Sequence, residues 1–329
     1  MLKIQRILIT KTPIGFLIRK SKVWQPPGFE SLPLYDVVRF FWSQVKTHGL
    51  SERAAAISYN FVMAIPPSLL FLLTLIPNLP FFSKKSLKLE LRSVIYDIIP
   101  SNVYNKEVIK FVDSFIDNSR IGLLSFGLLL SLFFASNAIM GLMKAFNRRS
   151  YHGFETRKGL LERWIALRVT IAIFGLLLGY LILLIMQGAL LEMIVTNELL
   201  RDVISYTRWA LIIGLLYLII AFIYKQVPSV KVKWKMRSPG ALLATTLSII
   251  ASFGFSIFVN NFGKYNALYG SIGTIMVIMA LIFINALALL IGFELNVSIK
   301  TLKAKAHLRQ QEEAAQKLND SMPIDTPLN

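Results

Sequence analysis

The chain contains no cysteine, and only 16% of its 329 residues are charged. The absence of cysteine excludes disulfide frameworks, thiolate metal sites and cysteine nucleophiles. The histidines, His48, His152 and His307, fall in polar stretches far apart in the sequence, which argues against a histidine metal cluster. No Gly-x-x-x-x-Gly-Lys phosphate loop is present, so this chain alone is not expected to be an ATP-driven pump. We expect neither a metal nor another cofactor.

Hydrophobic residues are abundant instead, and they occur in long runs. They make up 55% of the chain, and the mean hydropathy of +0.58 is too high for a soluble domain of ordinary size. A membrane-spanning helix needs about 20 apolar residues. Six runs meet this requirement, near residues 54–77, 121–146, 164–191, 209–227, 239–262 and 267–299. The sequence therefore predicts an all-α integral membrane protein with six transmembrane helices.

The net charge of +18 is distributed unevenly along the chain. Lysine and arginine are concentrated before span one, between spans two and three, between spans four and five, and after span six. This bias predicts that both termini are cytoplasmic. It fits anionic lipid headgroups on the cytoplasmic face as partners, although topology alone also accounts for it. The distribution argues against nucleic acid as a partner.

Regions outside the spans complete the predicted organisation. A cytoplasmic leader covers residues 1–32, the membrane domain covers 33–300, and a cytoplasmic tail covers 301–329. Around Trp42, apolar residues at helical spacing predict an amphipathic helix at the cytoplasmic interface. Between spans one and two, residues 78–120 contain two further amphipathic patterns, which predict a short helical outer loop.

Polar side chains interrupt the otherwise apolar helices and predict a pathway through spans one, two, five and six. Such side chains are costly in lipid and often mark a transport route. The candidates are Ser58, Tyr59, Asn60, Asn137, Asn285, Glu294 and Asn296. Pro66 and Pro67 lie inside span one, where they predict a kink. This kink either is packed or leaves carbonyl groups facing a cavity, a neighbouring helix or water.

Glu294 ends a run of 29 residues without a formal charge that begins after Lys264. A carboxylate at mid-bilayer costs about 2.5 to 3.5 kcal/mol, and less toward the interface, so it needs a partner, water or a proton. The predicted topology puts Glu294 near the cytoplasmic face, at a level that Arg53 or Arg168 could reach. Two interpretations stay open, a proton-coupling carboxylate and an ion pair that is structural or forms an inner gate.

The turn between spans five and six carries amide and phenol groups. Tyr265, Asn266 and Tyr269 lie there, beside glycines that permit sharp turns. A binding rim at the outer mouth and a packed hairpin both agree with this composition.

Several short motifs, taken in order, resemble the YihY/BrkB family of bacterial inner-membrane proteins. They are Ala54-Ala55-Ala56-Ile57-Ser58-Tyr59, Ala135-Ser136-Asn137, Pro239-Gly240-Ala241, Tyr265-Asn266, Tyr269-Gly270-Ser271 and Gly292-Phe293-Glu294-Leu295-Asn296. The resemblance implies six transmembrane helices with cytoplasmic termini. Members of the family have been called ribonuclease BN, a name widely regarded as a misassignment. Some have been linked to serum resistance or to movement of lipids across the inner membrane.

Two classes of function agree with these features. The first is a transporter or lipid-handling protein of the cell envelope, and the second is a non-transporting scaffold for envelope assembly. A nuclease is not expected, because phosphodiester hydrolysis usually needs clustered carboxylates or histidines that hold metal ions, and the cytoplasmic loops have no such motif. Small residues on the spans leave both a homo-oligomer and an envelope-protein partner open.

Overall fold

The computed structural model describes residues 13–47, 49–75, 84–98, 102–117, 121–147, 159–194, 198–230, 233–261 and 271–321. Ten helices occur within these ranges. In chain order they are α1 (Pro13–Val23), α2 (Leu34–Thr47), α3 (Leu50–Leu75), α4 (Lys84–Ile98), α5 (Asn102–Asp117), α6 (Ile121–Phe146), α7 (Gly159–Ile194), α8 (Glu198–Gln226), α9 (Pro239–Asn261) and α10 (Ser271–Ser321).

Six of these helices, α3 and α6 to α10, are long and apolar enough to cross a membrane. They coincide with the six predicted spans, and α6 has the predicted bounds. The all-α, multi-pass membrane class is therefore confirmed for the described residues by helix length and composition. The orientation with both termini in the cytoplasm stays a prediction.

Several helices extend beyond the apolar runs. Residues 198–208, which lie between the predicted spans three and four, are helical and belong to α8, and α10 continues to Ser321. A helix satisfies its backbone groups internally whether lipid or water surrounds it. Hydropathy therefore marks where a span lies in the membrane but not where its helix ends.

The start of α3 is set by Gly49 rather than by the start of the apolar run at residue 54. Gly49 has a positive φ of 51°, which glycine adopts without strain. The amide of Arg53 donates to the carbonyl of Gly49 at 3.3 Å. Glu52 lies in the first turn, where its carboxylate is favoured by the helix dipole. For these reasons α3 begins at Leu50, ahead of the predicted boundary at residue 54.

The chain divides into two compact units. The bundle unit contains the described residues of 49–149 and 153–293, and thus α3 to α9 with the first part of α10. The terminal unit contains the described residues of 1–48 and 294–329, and thus α1, α2 and the remainder of α10.

In the bundle unit, α3 and α6 pack closely at two glycines of α6. A β-carbon on Gly141 would lie 2.7 Å from Nδ2 of Asn60, and one on Gly127 would lie 2.5 Å from Cδ2 of Leu70. Both glycines therefore leave room for a side chain of α3. Lipid is as apolar as a leucine side chain, so helices in a membrane associate through close packing of this kind rather than through hydrophobic burial.

The predicted helical loop between spans one and two is confirmed as a hairpin of α4 and α5. Val112 and Ile116 of α5 are buried. Arg92 of α4 contacts Asp113 of α5 at 2.5 Å, which links the two helices. Partly buried side chains from the hairpin, α3 and α7 pack against the two buried residues; they are Leu72, Leu91, Ile95, Val108, Leu178 and Leu181. The hairpin therefore packs against two spanning helices, α3 and α7.

In the terminal unit, the segment around Trp42 is helical and forms α2. Val37 is buried, whereas the side chain of Trp42 is 57% exposed. The ammonium group of Lys305 from α10 lies 5.2 Å from the centroid of the Phe40 ring, so α2 contacts the polar end of α10. The contact of this helix with a membrane surface stays a prediction.

The connection from α1 to α2 is a compact loop. The amide of Leu34 donates to the carbonyl of Trp24 at 3.0 Å and closes it. Within the loop, Glu30 and Ser31 have positive φ angles of 53° and 65°, which are unusual for residues other than glycine. The Glu30 carboxylate binds the ammonium groups of Lys300 and Lys303 on α10. These contacts attach the loop to α10.

We predict that the loop loosens in acid. Burial raises the pKa of Glu30, but Lys300 and Lys303 outweigh it, so the pKa lies below its usual 4.5. A lowered pKa in the folded state means that the stabilisation is complete above the unfolded-state pKa and is lost as pH falls through the folded-state pKa. Glu30→Gln should abolish this pH dependence and cost about 1 kcal/mol or less at neutral pH.

Hydrogen exchange of residues 24–33, measured as a function of pH, checks this prediction. Glu107→Gln is the matched control, because the Glu107 carboxylate is 66% exposed and contacts Lys110 at 3.4 Å on the same helix. Equal exchange in the parent and Glu30→Gln at every pH would contradict the assigned role of Glu30.

Candidate functional site

Three aromatic rings pack around Phe293, the ring of the Gly-Phe-Glu motif on α10. Phe293 stacks on Phe146 of α6 with 4.0 Å between centroids and 3° between planes. Trp234, which precedes α9, lies 5.4 Å from Phe293, and Tyr224 of α8 lies 5.9 Å from Phe146. All four side chains are buried. This ring cluster (Phe146, Tyr224, Trp234 and Phe293) joins α6, α8 and α10 to the segment between α8 and α9.

Gly292 lets α10 approach the backbone of α9. A β-carbon on Gly292 would lie 2.4 Å from the carbonyl oxygen of Gly240 and 2.6 Å from Cβ of Ala244. The hydroxyl of Tyr224 donates to the carbonyl of Leu289 at 2.5 Å. Two of the motifs that carry the family resemblance, those containing Gly240 and Gly292, therefore meet at one helix contact.

The segment between α8 and α9 is fixed at several points. The amide of Ser229 donates to Oδ1 of Asn147 at 2.8 Å. The hydroxyl of Tyr217 donates to the carbonyl of Met236 at 3.3 Å. Trp234 is buried in the ring cluster. The basic residues that alternate with Trp234 and Met236 are exposed; they are Lys233, Lys235 and Arg237.

Most polar side chains of the predicted pathway form hydrogen bonds inside the bundle unit. Ser58, Asn60 and Asn285 each donate to the carbonyl one turn earlier in their own helix, at 2.6, 2.8 and 3.0 Å. Asn285 also donates to the hydroxyl of Ser252 on α9 at 3.2 Å. Such bonds satisfy polar groups that would be costly in lipid.

Asn137 is paired with a residue that the sequence did not single out. Its side-chain oxygen accepts a hydrogen bond from the guanidinium of Arg163 on α7. The same guanidinium lies 4.9 Å from the centroid of the Phe133 ring, a cation–π contact. A basic residue at the start of a span is also what topology alone requires, so its position in the sequence did not mark Arg163 as a partner of Asn137.

The two arginines predicted to approach Glu294 have different surroundings. The guanidinium of Arg53 donates twice to the carbonyl of Ala145, from Nε at 3.0 Å and from Nη2 at 2.6 Å. This carbonyl lies in the last turn of α6, where the helix dipole favours a cation. Arg168 is exposed on α7, and Tyr59 of α3 is 58% exposed.

Glu294 lies in a stretch of α10 that is buried on every side. All residues from 292 to 299 are buried, and Glu294 itself has no accessible surface. Glu294 and Asn296 each have an interaction partner. The pairing of Glu294 with Arg53 or Arg168 stays a prediction.

The remaining predicted features are two prolines and a turn. α3 continues through Pro66 and Pro67 to Leu75, with Pro67 buried and Pro66 exposed. Tyr265, Asn266 and Tyr269, the predicted rim, lie outside the described residues.

A lateral groove lies between α7 and α8. Its volume is about 400 Å³, which is within the range of small-molecule sites, and its surface is almost entirely apolar. The lining residues are Ala172, Gly175, Leu176, Leu218, Phe222 and Met236. Gly175 and Leu218 are exposed, so the groove opens at the surface of the helix pair. No pattern in the sequence marked it, because apolar residues on a membrane span are expected everywhere.

The described residues interact through hydrogen bonds, ring stacking, ion pairs, cation–π contacts and apolar packing. Within those ranges no group of three or more histidine, aspartate or glutamate side chains is arranged to hold a metal ion.

Comparisons with known proteins identify a family and several relatives of this chain. A family model described as "Virulence factor BrkB" matches residues 41–318. The ribonuclease-like protein YfkH of Bacillus subtilis (strain 168) is 29% identical over 266 residues, which are 80% of this chain and 94% of YfkH. A UPF0761 membrane protein of Tolumonas auensis is 25% identical over 92% of this chain and 97% of its own length. No solved structure matches.

We predict that Gly292→Ala strongly destabilises the bundle unit. The added methyl group would overlap the backbone of α9, and overpacking of this kind costs about 1 to 3 kcal/mol. Gly254→Ala is the matched control, because nothing lies within 4 Å of a β-carbon at this helical glycine. Thermal unfolding of the purified protein in detergent checks the difference. Equal unfolding temperatures for the two variants would contradict close packing at Gly292.

Proposed function

The chain belongs to the BrkB virulence-factor family, as its motifs predicted, and from this premise we propose that it handles lipids in the bacterial plasma membrane. In this proposal both termini are cytoplasmic, and lipid molecules bind at the lateral groove and move between leaflets beside it. The substrate is a membrane lipid rather than a water-soluble solute.

The observation that carries the proposal is the lateral groove itself. It is apolar, it has a volume of about 400 Å³, and it opens between two helices that are long and apolar enough to cross a membrane. A groove of this kind suits an acyl chain, which enters sideways from the bilayer. A polar solute would leave the same surface without hydrogen-bond partners for its own groups.

The polar side chains of the spans give less support to an aqueous route. Ser58, Asn60 and Asn285 bond to carbonyls of their own helices, and Asn137 accepts from Arg163. A solute path along these groups would require breaking hydrogen bonds that already satisfy them. For this reason we locate the proposed activity at the lipid-facing groove.

A second candidate function, the envelope scaffold, is favoured by the same hydrogen bonds. A protein that does not transport would have its buried polar groups paired and its helices packed, as Asn137 with Arg163 and Gly292 against Gly240 are. In this alternative the exposed helices contact an envelope-protein partner or a second copy of the chain. Absence of lipid movement by the purified protein would favour the scaffold.

We predict that filling the groove slows lipid movement. Gly175→Leu places a branched side chain in the groove, whereas Gly254→Leu places the same side chain on α9, where nothing lies within 4 Å of the β-carbon. Transbilayer movement of a fluorescent phospholipid, measured in proteoliposomes, should fall about tenfold or more in the first variant and stay at the parent rate in the second. Equal rates in both variants would remove the groove from the mechanism.

We propose that Glu294 is structural and does not couple transport to protons. The carboxylate of Glu294 is fully buried and has an interaction partner. Glu294→Gln should therefore destabilise the protein by about 1 to 3 kcal/mol. Lipid movement per folded molecule should keep its pH dependence. Glu313→Gln, at an exposed position of α10, is the control for the loss of one charge. A changed pH profile in Glu294→Gln alone would instead indicate proton coupling.

A further inference from the structure

Both helices that line the lateral groove carry a basic residue just beyond its apolar part. On α7, Arg168 precedes Ala172 by four residues, which is about 6 Å along the helix axis. On α8, Lys225 follows Phe222 by three residues. Residues three or four apart share a helix face, so each cation continues the stripe that lines the groove.

The two cations lie at the same end of the groove. Only three residues separate Ile194 at the end of α7 from Glu198 at the start of α8, which makes consecutive spanning helices antiparallel. The start of α7 and the end of α8 are therefore on one side. Arg168 precedes the lining residues of α7, and Lys225 follows those of α8.

The segment before α9 adds two further cations beside the groove. Met236 lines the groove, and its neighbours Lys235 and Arg237 are exposed. The hydroxyl of Tyr217 holds the carbonyl of Met236, and Trp234 anchors the segment in the ring cluster. The position of the basic pair beside the groove is thus fixed by contacts on both sides.

These cations are not used in ion pairs with the described part of the chain. No described carboxylate lies within ion-pair distance of Arg168, Lys225, Lys235 or Arg237. On α7, the side chains one turn away from Arg168 are also uncharged; they are Trp164, Ile165, Ile171 and Ala172. A group of cations without an acidic partner among the described residues, beside an apolar groove, is complementary to a ligand with an anionic head and an apolar tail.

We propose that the lateral groove is a binding site selective for anionic glycerophospholipids. One acyl chain occupies the groove, and the phosphate and anionic headgroup contact Arg168, Lys225, Lys235 and Arg237. This inference rests on the proposed function and specifies its substrate class. Arginine and lysine both bind phosphate well, and a membrane supplies this ligand at high local concentration.

Headgroup selectivity tests the proposal directly. The purified full-length protein in detergent is titrated with phosphatidylglycerol or phosphatidylcholine of identical acyl chains, and bound lipid is counted by native mass spectrometry. A juxtamembrane cation contributes roughly 1 kcal/mol toward an anionic lipid, so the two cations on the helices predict a preference of roughly tenfold or more for phosphatidylglycerol. The preference should weaken as salt is raised, because exposed charges are screened.

Matched double variants separate local contacts from net charge. Arg168→Gln with Lys225→Gln should reduce the preference about tenfold or more, because binding of phosphatidylglycerol is weakened more than binding of zwitterionic phosphatidylcholine. Lys144→Gln with Arg309→Gln removes one lysine and one arginine at exposed positions elsewhere and should keep the preference. The proposal is overturned by equal affinity of the parent for the two lipids, by a salt-independent preference, or by a preference that is as large in Arg168→Gln with Lys225→Gln as in the parent.

The failure of this proposal can be distinguished from failure of the proposed function. If Gly175→Leu stops lipid movement but the parent shows no headgroup preference, the groove handles lipids without the assigned selectivity. If the preference depends on Arg168 and Lys225 but Gly175→Leu moves lipid at the parent rate, the anionic lipid site is supported and the transport role of the groove is wrong.

Discussion

The close approach of α10 to α9 at Gly292 is the constraint on which the bundle unit depends. Any side chain at this position would overlap the carbonyl of Gly240, so the two backbones meet only because α10 has a glycine there. Phe293 then enters the ring cluster, and Glu294 follows in the buried stretch of α10. The motif thus combines a contact between helices, a ring that packs against three others and a buried acid in consecutive residues.

Lipid as solvent explains why the polar side chains of the spans are bonded within the protein. A hydroxyl or amide facing hydrocarbon has no water to bond, so it bonds to its own helix, as Ser58 and Asn60 do, or across to another helix, as Asn137 does to Arg163. A polar residue in a span therefore indicates helix packing as well as it indicates a transport route. Because these interior polar groups are already bonded, the outer surface of the bundle is the better candidate for a binding site.

The sequence was informative wherever a physical pattern extends over many residues. Apolar runs of about 20 residues predicted the six spanning helices, and helical spacing in 78–120 predicted the hairpin of α4 and α5. Single partners could not be predicted, because the basic residue that binds Asn137 or the carbonyl that binds Arg53 is far away in the chain. The lateral groove could not be predicted either. A glycine on a span looks the same in the sequence whether a neighbouring helix or an opening lies beside it. Gly292 and Gly175 illustrate the two cases.

The ring cluster and the lateral groove are parts of one arrangement, because a short segment connects them. Trp234 is buried against Phe293, while Met236, two residues later, lines the groove and is held by Tyr217 of α8. The position of Met236, and of the basic residues beside it, therefore depends on the rings around the Gly-Phe-Glu motif. This dependence gives the motif an indirect role in the proposed lipid site, which the motif does not itself line. It also explains how residues with no contact to a ligand can determine the geometry with which the ligand is bound.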